Sequence, residues 1–295
     1  MNEFWQSLIR GLGNGSVYAL LALGFVIIYK SMRVISFAQP AFMLAGAVIV
    51  TYLSDDVGFW AAAALAVAAV AVLGLGVERV AIRPMVGRPV FVVAIITLGL
   101  DILIRVVVGG FIGLDVRQVG DPWKLGTVGL FGVDVQQRYL AMLGAAVLCV
   151  LVLFLFFRYT RYGLAMRAAS FDQESALAQG VDVGRVFAIS WAMGTALAAI
   201  AGILVGAGTS VDQNIWIIAL KALPAIILGG LDSLGGAVVG GLAIGVAEAL
   251  VGTYQADHAP WLGENFASVT PYALMLAVLL VRPYGLFGTR EVERV

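Results

Sequence analysis

R-Y-T-R-Y-G-L-A-M-R-A-A-S-F-D-Q-E-S-A-L-A-Q-G-V-D-V-G-R, residues 158–185, decides the fold by what lies on either side of it. It is the longest polar segment with a structured look, and apolar runs long enough to cross a bilayer flank it, Tyr139–Phe157 before and Val186–Gly206 after. About 30 Å of hydrocarbon takes roughly 20 residues of helix. The polar stretch then becomes a cytoplasmic loop at about 159–184, carrying Arg158, Arg161, Arg167 and Arg185. Within it Asp172–Gln179 reads as a short helix closed by Gly180, a residue free to take the left-handed turn that ends helices. Glu174, Ser175, Ala176 and Gly180 fall at E-x-A-x-x-x-G spacing, which makes a thin helix that fits a groove. Two readings of it stand: a helix resting on lipid headgroups, or one gripped by a partner.

The same pattern extends outward. The chain is 61% hydrophobic and 12% charged, against roughly 45–50% and 25% in soluble domains. Further apolar runs are Leu12–Tyr29, Ala41–Leu53, Phe59–Val77, Val90–Leu114, Ile215–Leu228, Leu234–Val251 and Val269–Val281. They are continuous and rich in Ala, Leu and Val, and they do not alternate, which excludes a membrane barrel. In lipid every backbone polar group must be paired internally, so the runs are helices. The expected fold is an all-α polytopic membrane protein with eight or nine spans. The runs at 41–53 and 215–228 are short enough to be broken or partly re-entrant. The whole of 1–295 is expected to form one membrane domain.

Positive residues favour the cytoplasmic side of short loops. If the runs alternate, Lys30/Arg33, Arg79/Arg83/Arg88, Arg158/Arg161/Arg167 and Arg282/Arg290 share one side. The pieces bearing Asp55/Asp56, Asp115–Asp134, Asp212 and Asp257–Glu264 share the other. The rule places the N-terminus outside and the C-terminus in the cytoplasm. Residues 1–10 are too short and too charged for a cleavable signal.

Several function classes are disfavoured. Formal charge is +0, which gives no electrostatic reason to expect nucleic acid. One cysteine, Cys149, and one histidine, His258, provide no disulfide, no cysteine metal site and no Ser-His-Asp set. G-L-G-N-G-S at 11–16 lacks the spacing of a phosphate loop and reads as a closely packed helix start. Glycines four apart, at 11/15, 202/206, 236/240 and 241/245, let another backbone approach, within the chain or at a subunit interface. Asp101 and Arg105 are four apart and can pair near the membrane boundary, while Lys221 and Glu248 read as groups near helix ends that reach toward headgroups. Ser36 and Gln39, just before and beside Pro40, bring polar groups to a helix start; the segment is a plain loop or a broken helix beside a pathway.

Five stretches in order carry a resemblance. They are G-S-V-Y-A-L-L-A-L-G-F-V-I-I-Y at 15–29, V-I-S-F-A-Q-P-A-F-M-L-A-G-A at 34–47 and E-R-V-A-I-R-P at 78–84. R-Y-G-L-A-M-R-A-A with E-S-A-L-A-Q-G follows at 161–180, then L-K-A-L-P-A-I-I-L-G-G-L-D-S-L-G-G-A at 220–237. Over nearly its whole length the chain resembles the membrane permeases of ABC importers for branched-chain amino acids, the LivH-like group. The sequence departs from that group's pattern at Ser36, Gln39, Pro40 and Ala41, where Asn, His, Gly and Glu are usual, and at Asp232, where Gly is usual.

The resemblance implies a permease subunit in a bacterial inner membrane that performs no chemistry and needs no cofactor or metal. Its implied partners are a second related permease, two ATP-binding-cassette ATPases and an extracytoplasmic solute-binding protein. Arg161, Arg167, Glu174, Ser175, Ala176 and Gly180 would meet the ATPase. Ser16, Tyr18, Ser36, Gln39 and Pro40 would border the path. Leucine, isoleucine and valine are the expected cargo; urea, short amides and other small amphiphiles are carried by relatives. An ion-coupled carrier acting alone is the competing class, and the lack of carboxylates along the mid-membrane argues against it.

Overall fold

The computed structural model describes residues 2–113, 117–120, 122–123, 126–130, 132–207, 210–263 and 265–289. Asp115, Asp121, Lys124, Glu264 and Arg290, assigned above to loops, lie outside the described residues. Long helices dominate: α1 (Asn2–Met32), α2 (Gln39–Val57), α3 (Phe59–Val77), α4 (Val90–Ile112) and α5 (Gln137–Tyr159). Two short helices follow, α6 (Arg161–Phe171) and α7 (Gln173–Ala178), then α8 (Val183–Gly206), α9 (Ile217–Leu220), α10 (Ala222–Gly229), α11 (Leu234–His258) and α12 (Thr270–Val281). Among the described residues seven helices are long and apolar enough to cross a membrane, and Ile217–Gly229 and Thr270–Val281 are shorter apolar pieces. The polytopic all-α expectation holds, including the broken seventh run, which divides at Lys221. The chain packs as two compact units.

One unit comprises Ile27–Pro122 and Val147–Ile218. Its centre is α2, whose residues 39–48 are all buried. The backbone of α8 comes close to it: a Cβ added to Gly202 would lie 2.1 Å from the Met43 carbonyl oxygen, and one on Gly46 would lie 2.6 Å from Ala199 Cα. Phe42 and Trp191 meet edge to face at 6.4 Å, and Trp191 Nε1 donates to the Met32 sulfur at 3.2 Å. Further along α8, Gly74 of α3 makes room for Thr195. By contrast α4 exposes Phe91, Ile95 and Phe111, and α5 exposes Val147, Leu148 and Phe154. Helices that are apolar all round with one face uncovered suit a hydrocarbon solvent. Strands β1 (Arg117–Gln118) and β4 (Ser210–Val211) pair antiparallel, with Arg117 opposite Val211.

The other unit comprises Met1–Val26, Trp123–Ala146 and Ala219–Val295. Here α1 crosses α11 through facing glycines. A Cβ on Gly245 would sit 2.3 Å from Gly15 Cα, and one on Gly15 would sit 2.9 Å from the Gly241 oxygen. A second crossing, α10 on α11, uses Gly229, Gly236 and Gly240 in the same way. The glycine pairs thus serve packing inside the chain. G-L-G-N-G-S lies well inside α1, which begins at Asn2, and is no helix start. Its glycines are there for close approach, and the surrounding packing outweighs their poor helix propensity. Strands β2 (Thr127–Leu130) and β3 (Val133–Gln136) form a hairpin with Val128 opposite Val135. The chain after α12 folds back: Leu286 and Phe287 donate their N–H groups to Leu228 and Gly229 oxygens at 2.8 and 3.0 Å. Asp232, the departure from the family's glycine, accepts from Thr289.

Candidate functional site

Three polar constellations stand out in this apolar protein. The first is the broken segment between α1 and α2, where Val34, Ser36 and Ala38 are buried although they lie outside a helix. Helix α2 starts at Gln39 with Pro40 in its first turn, where a missing N–H costs nothing, and no local side chain caps it. The cap comes from α4. Asp101 Oδ1 accepts the Ala41 N–H at 3.1 Å, and Thr97 Oγ1 accepts the Phe37 N–H at 3.0 Å. A carboxylate there also answers the positive end of the helix dipole. Asp101 is in turn held by Arg105, whose Nε and Nη2 reach Oδ2 at 2.8 and 2.6 Å. The expected ion pair is present, but its place is corrected: Asp101 sits midway along α4 and is 6% exposed, away from both ends of that helix. A charge is tolerated at this depth because each of its oxygens has a donor. Thr97 and Asp101 lie four apart on one face of α4, a spacing that by itself does not point to a helix start sixty residues earlier.

Beside it, Ser36 Oγ and both side-chain atoms of Gln39 are buried with no hydrogen-bond partner among the described residues. An orphaned buried group costs about 1–3 kcal/mol. Such groups are ready to take a polar ligand, or to be satisfied in another conformation. Of the other path candidates, Pro40 lies in the same buried turn. Ser16 and Tyr18 belong to the other unit. Ser16 is satisfied by its own helix, donating to the Leu12 oxygen at 2.7 Å.

Tyr18 leads to the second constellation. Its hydroxyl donates to Glu248 Oε2 at 2.7 Å, while Lys221 Nζ pairs with Glu248 Oε1. Both charged side chains are under one-fifth exposed, 19% for Lys221 and 17% for Glu248. Lys221 and Glu248, expected as separate groups reaching toward headgroups, are joined in the structure. The pair links α11 to the residue between α9 and α10, and Tyr18 adds α1. Twenty-seven residues separate Lys221 from Glu248, so no helical spacing rule reveals the pair.

The third is the loop at 159–184. Thr160 caps α6 by accepting the Gly163 N–H at 2.9 Å. Asp172 caps α7, accepting from the Glu174 and Ser175 N–H groups at 2.9 and 3.2 Å and from the Ser175 hydroxyl at 2.6 Å. The Ser175 hydroxyl and then the backbone donors hold the Asp172 carboxyl below its ordinary value. A lowered value stabilises the folded form above the unfolded carboxylate range and is lost only as pH falls through the folded value, well into acid. Gly180 ends α7 at φ +82°, with Val181 N–H on the Ala176 oxygen and Gly180 N–H on the Leu177 oxygen, a Schellman closure. The loop is tied down: Gln173 Nε2 donates to the Ser31 oxygen at 2.8 Å and Arg33 Nη2 to the Ser170 oxygen at 3.1 Å. Ala176 is buried, while Arg161, Arg167, Glu174, Ser175 and Gly180 are exposed, with Phe171 at 89% and Leu177 at 57% beside them.

E-R-V-A-I-R-P gains a physical meaning. Glu78–Ile82 is a π-helical turn, so the residue five on comes back over Glu78. Arg83 makes a two-pronged contact with the buried Glu78, at 3.0 and 3.2 Å, and its Nη2 donates to the Gly184 oxygen at 2.7 Å. The end of α3 is thereby fastened to the start of α8, directly after the loop.

Residues 7–279 match the family model described as "Branched-chain amino acid transport system / permease component". The chain is 32% identical over 310 residues to the Escherichia coli K12 high-affinity branched-chain amino acid permease LivH, covering 99% of this chain and 98% of that one. It is 32% identical over 311 residues to the Pseudomonas aeruginosa permease BraD, with the same coverage. In fold it is similar to a chain of PsaBC from Streptococcus pneumoniae, with TM-score 0.50 and 15% identity over 96% of this chain and 93% of that one. It is also similar to an inward-facing metal-chelate type ABC transporter chain, with TM-score 0.53 and 17% identity over 96% of this chain and 88% of that one. Broken apolar helices, a capped polar loop between two spans, and sequence agreement from end to end converge: this chain belongs to the permease family of branched-chain amino acid ABC transport systems.

Proposed function

We propose that this chain is one permease of an ABC importer that brings branched-chain amino acids into the cell, acting as a single transmembrane domain in residues 1–295. It pairs with a second related permease, two ATPases grip the loops at about 159–184, and an extracytoplasmic binding protein delivers the solute. The observation that carries the reading is the capped, anchored helix α7 presenting Glu174 beside exposed Phe171 and Leu177. A six-residue helix is too short to be stable alone. Here it is capped at both ends and hydrogen-bonded through Gln173 to Ser31 in the last turn of α1, so a push on it reaches the spanning helices. Ser36, Gln39 and Pro40, and Ser16 and Tyr18 in the other unit, are the proposed path-lining positions. Closure of the ATPases on ATP moves α7, tilts the spans and opens the path alternately; the permease itself performs no chemistry.

Glu174→Lys reverses a charge on a side chain that faces solvent. The variant should insert and assemble normally while ATP hydrolysis no longer drives uptake, with leucine accumulation down ~10-fold or more, the effect of ~1.4 kcal/mol of lost coupling. Wild-type uptake per ATP hydrolysed would refute the role. Purified vesicles holding only this polypeptide should concentrate nothing; concentration by them would favour the ion-coupled carrier.

We place the N-terminus outside and the C-terminus in the cytoplasm. Supporting this, the basic end after α1 and the basic turn after α3 each contact the region of the polar loop, through Arg33–Ser170 and Arg83–Gly184. In the same unit Tyr52 donates to the Phe111 oxygen and Gln213 to the Gly113 oxygen, joining the opposite helix ends. A reporter fused after Val295 should read cytoplasmic, and a periplasmic signal would overturn the orientation.

A further inference from the structure

A cleft of about 520 Å³ opens on the first-described unit, and neither the path candidates nor the loop account for it. Its size is within the usual range for small-molecule sites, ~300–1,000 Å³. Part of the wall is apolar, with Leu44 from α2 and Ile102 and Val106 from α4. Arg105, also from α4, lines the cleft with its guanidinium 3.9 Å over the ring of Trp216. Asn214 and Gln213 supply amides at its edge. Gly109 and Gly110 form part of the wall, and a Cβ on Gly110 would meet nothing within 4 Å.

We propose that this cleft is a solute-binding station that recognises the free carboxylate of an apolar α-amino acid through Arg105. The inference rests on the reading that the transporter carries branched-chain amino acids, and it names the residues that select them. Arg105 spends Nε and Nη2 on Asp101, leaving the Nη1 side of its fork for a second carboxylate. Stacking on Trp216 fixes the plane of the fork, which a lysine ammonium could not reproduce. The amide oxygens of Gln213 and Asn214 are acceptors for the solute ammonium. Leu44, Ile102 and Val106 face its aliphatic chain. A zwitterion adds no net charge to a site that already balances Asp101 against Arg105. A carboxylate anion without the ammonium would add a charge in a low-dielectric setting and be disfavoured. Urea and short amides carry no carboxylate and would leave Nη1 without a second anionic partner.

The test uses the assembled transporter with its binding protein, in vesicles, with labelled L-leucine as the probe. Because the binding protein sets the apparent affinity, the maximal uptake rate is read, with binding-protein-stimulated ATP hydrolysis measured in parallel. Arg105→Lys keeps a cation for Asp101 but loses the stacked fork, and should lower the leucine rate ~10-fold or more. Gly110→Leu puts a side chain where the structure has open space, so folding and ATP hydrolysis should be preserved while leucine uptake falls ~10-fold or more. Unchanged leucine uptake in either variant overturns the proposal. Failure of Gly110→Leu to assemble overturns it as well, since the cleft would then be a contact with the second permease. Error in the underlying reading shows differently: the unaltered transporter would itself leave leucine outside.

Discussion

Gly245→Leu should leave almost no folded protein to extract from the membrane. A Cβ alone at this position would lie 2.3 Å from both N and Cα of Gly15 and 2.5 Å from the Gly11 oxygen. All three are backbone atoms, so no side-chain rotation relieves the clash, and α1 and α11 must separate along the whole glycine seam. Overpacking of a core costs ~1–3 kcal/mol when side chains can yield, and more when they cannot. Here ~3 kcal/mol or more is expected, a large share of a marginal stability. Gly144→Leu is the control, because a Cβ there meets nothing within 4 Å. Thermal unfolding of detergent-extracted protein checks both. A Gly245→Leu variant that unfolds at the same temperature as Gly144→Leu would show that the α1–α11 seam is not closed.

Lys221→Met should be nearly as damaging, for an electrical reason. It leaves Glu248 inside the helices with only the Tyr18 hydroxyl to answer its charge. Removing one partner of a buried ion pair costs ~3–5 kcal/mol, whereas replacing both is often close to neutral. The double variant Lys221→Met/Glu248→Gln removes both charges and keeps an acceptor for Tyr18. It should recover most of the lost stability. If the single and double variants unfold alike, the pair contributes no more than an exposed surface contact.

The contrast between those two sites shows what a sequence reveals. Spans were legible because apolar runs must match a bilayer: Phe59–Val77 was bounded to the residue, and the other long runs to within about ten residues, the N-terminal extension of α1 being the largest difference. Helix α7 was legible because its stop signal, Gly180, is local. The cap on α2 was not, since its carboxylate comes from Asp101, sixty residues on. Nor was the Glu78–Arg83 contact. Spacing of five is silent in an α-helix and meaningful only in the wider π turn. Ser36 and Gln39 drew notice as polar residues beside a proline, yet only the packed structure shows that their side chains are orphaned.

The glycine seam bears on how the protein is made. Helix α1 leaves the ribosome long before α11, yet the surface that receives Gly11 and Gly15 is supplied by α11. Until α11 has been synthesised, α1 waits in the bilayer with a bare notched face and a tyrosine hydroxyl seeking an acceptor. A helix made early is completed only by one made much later.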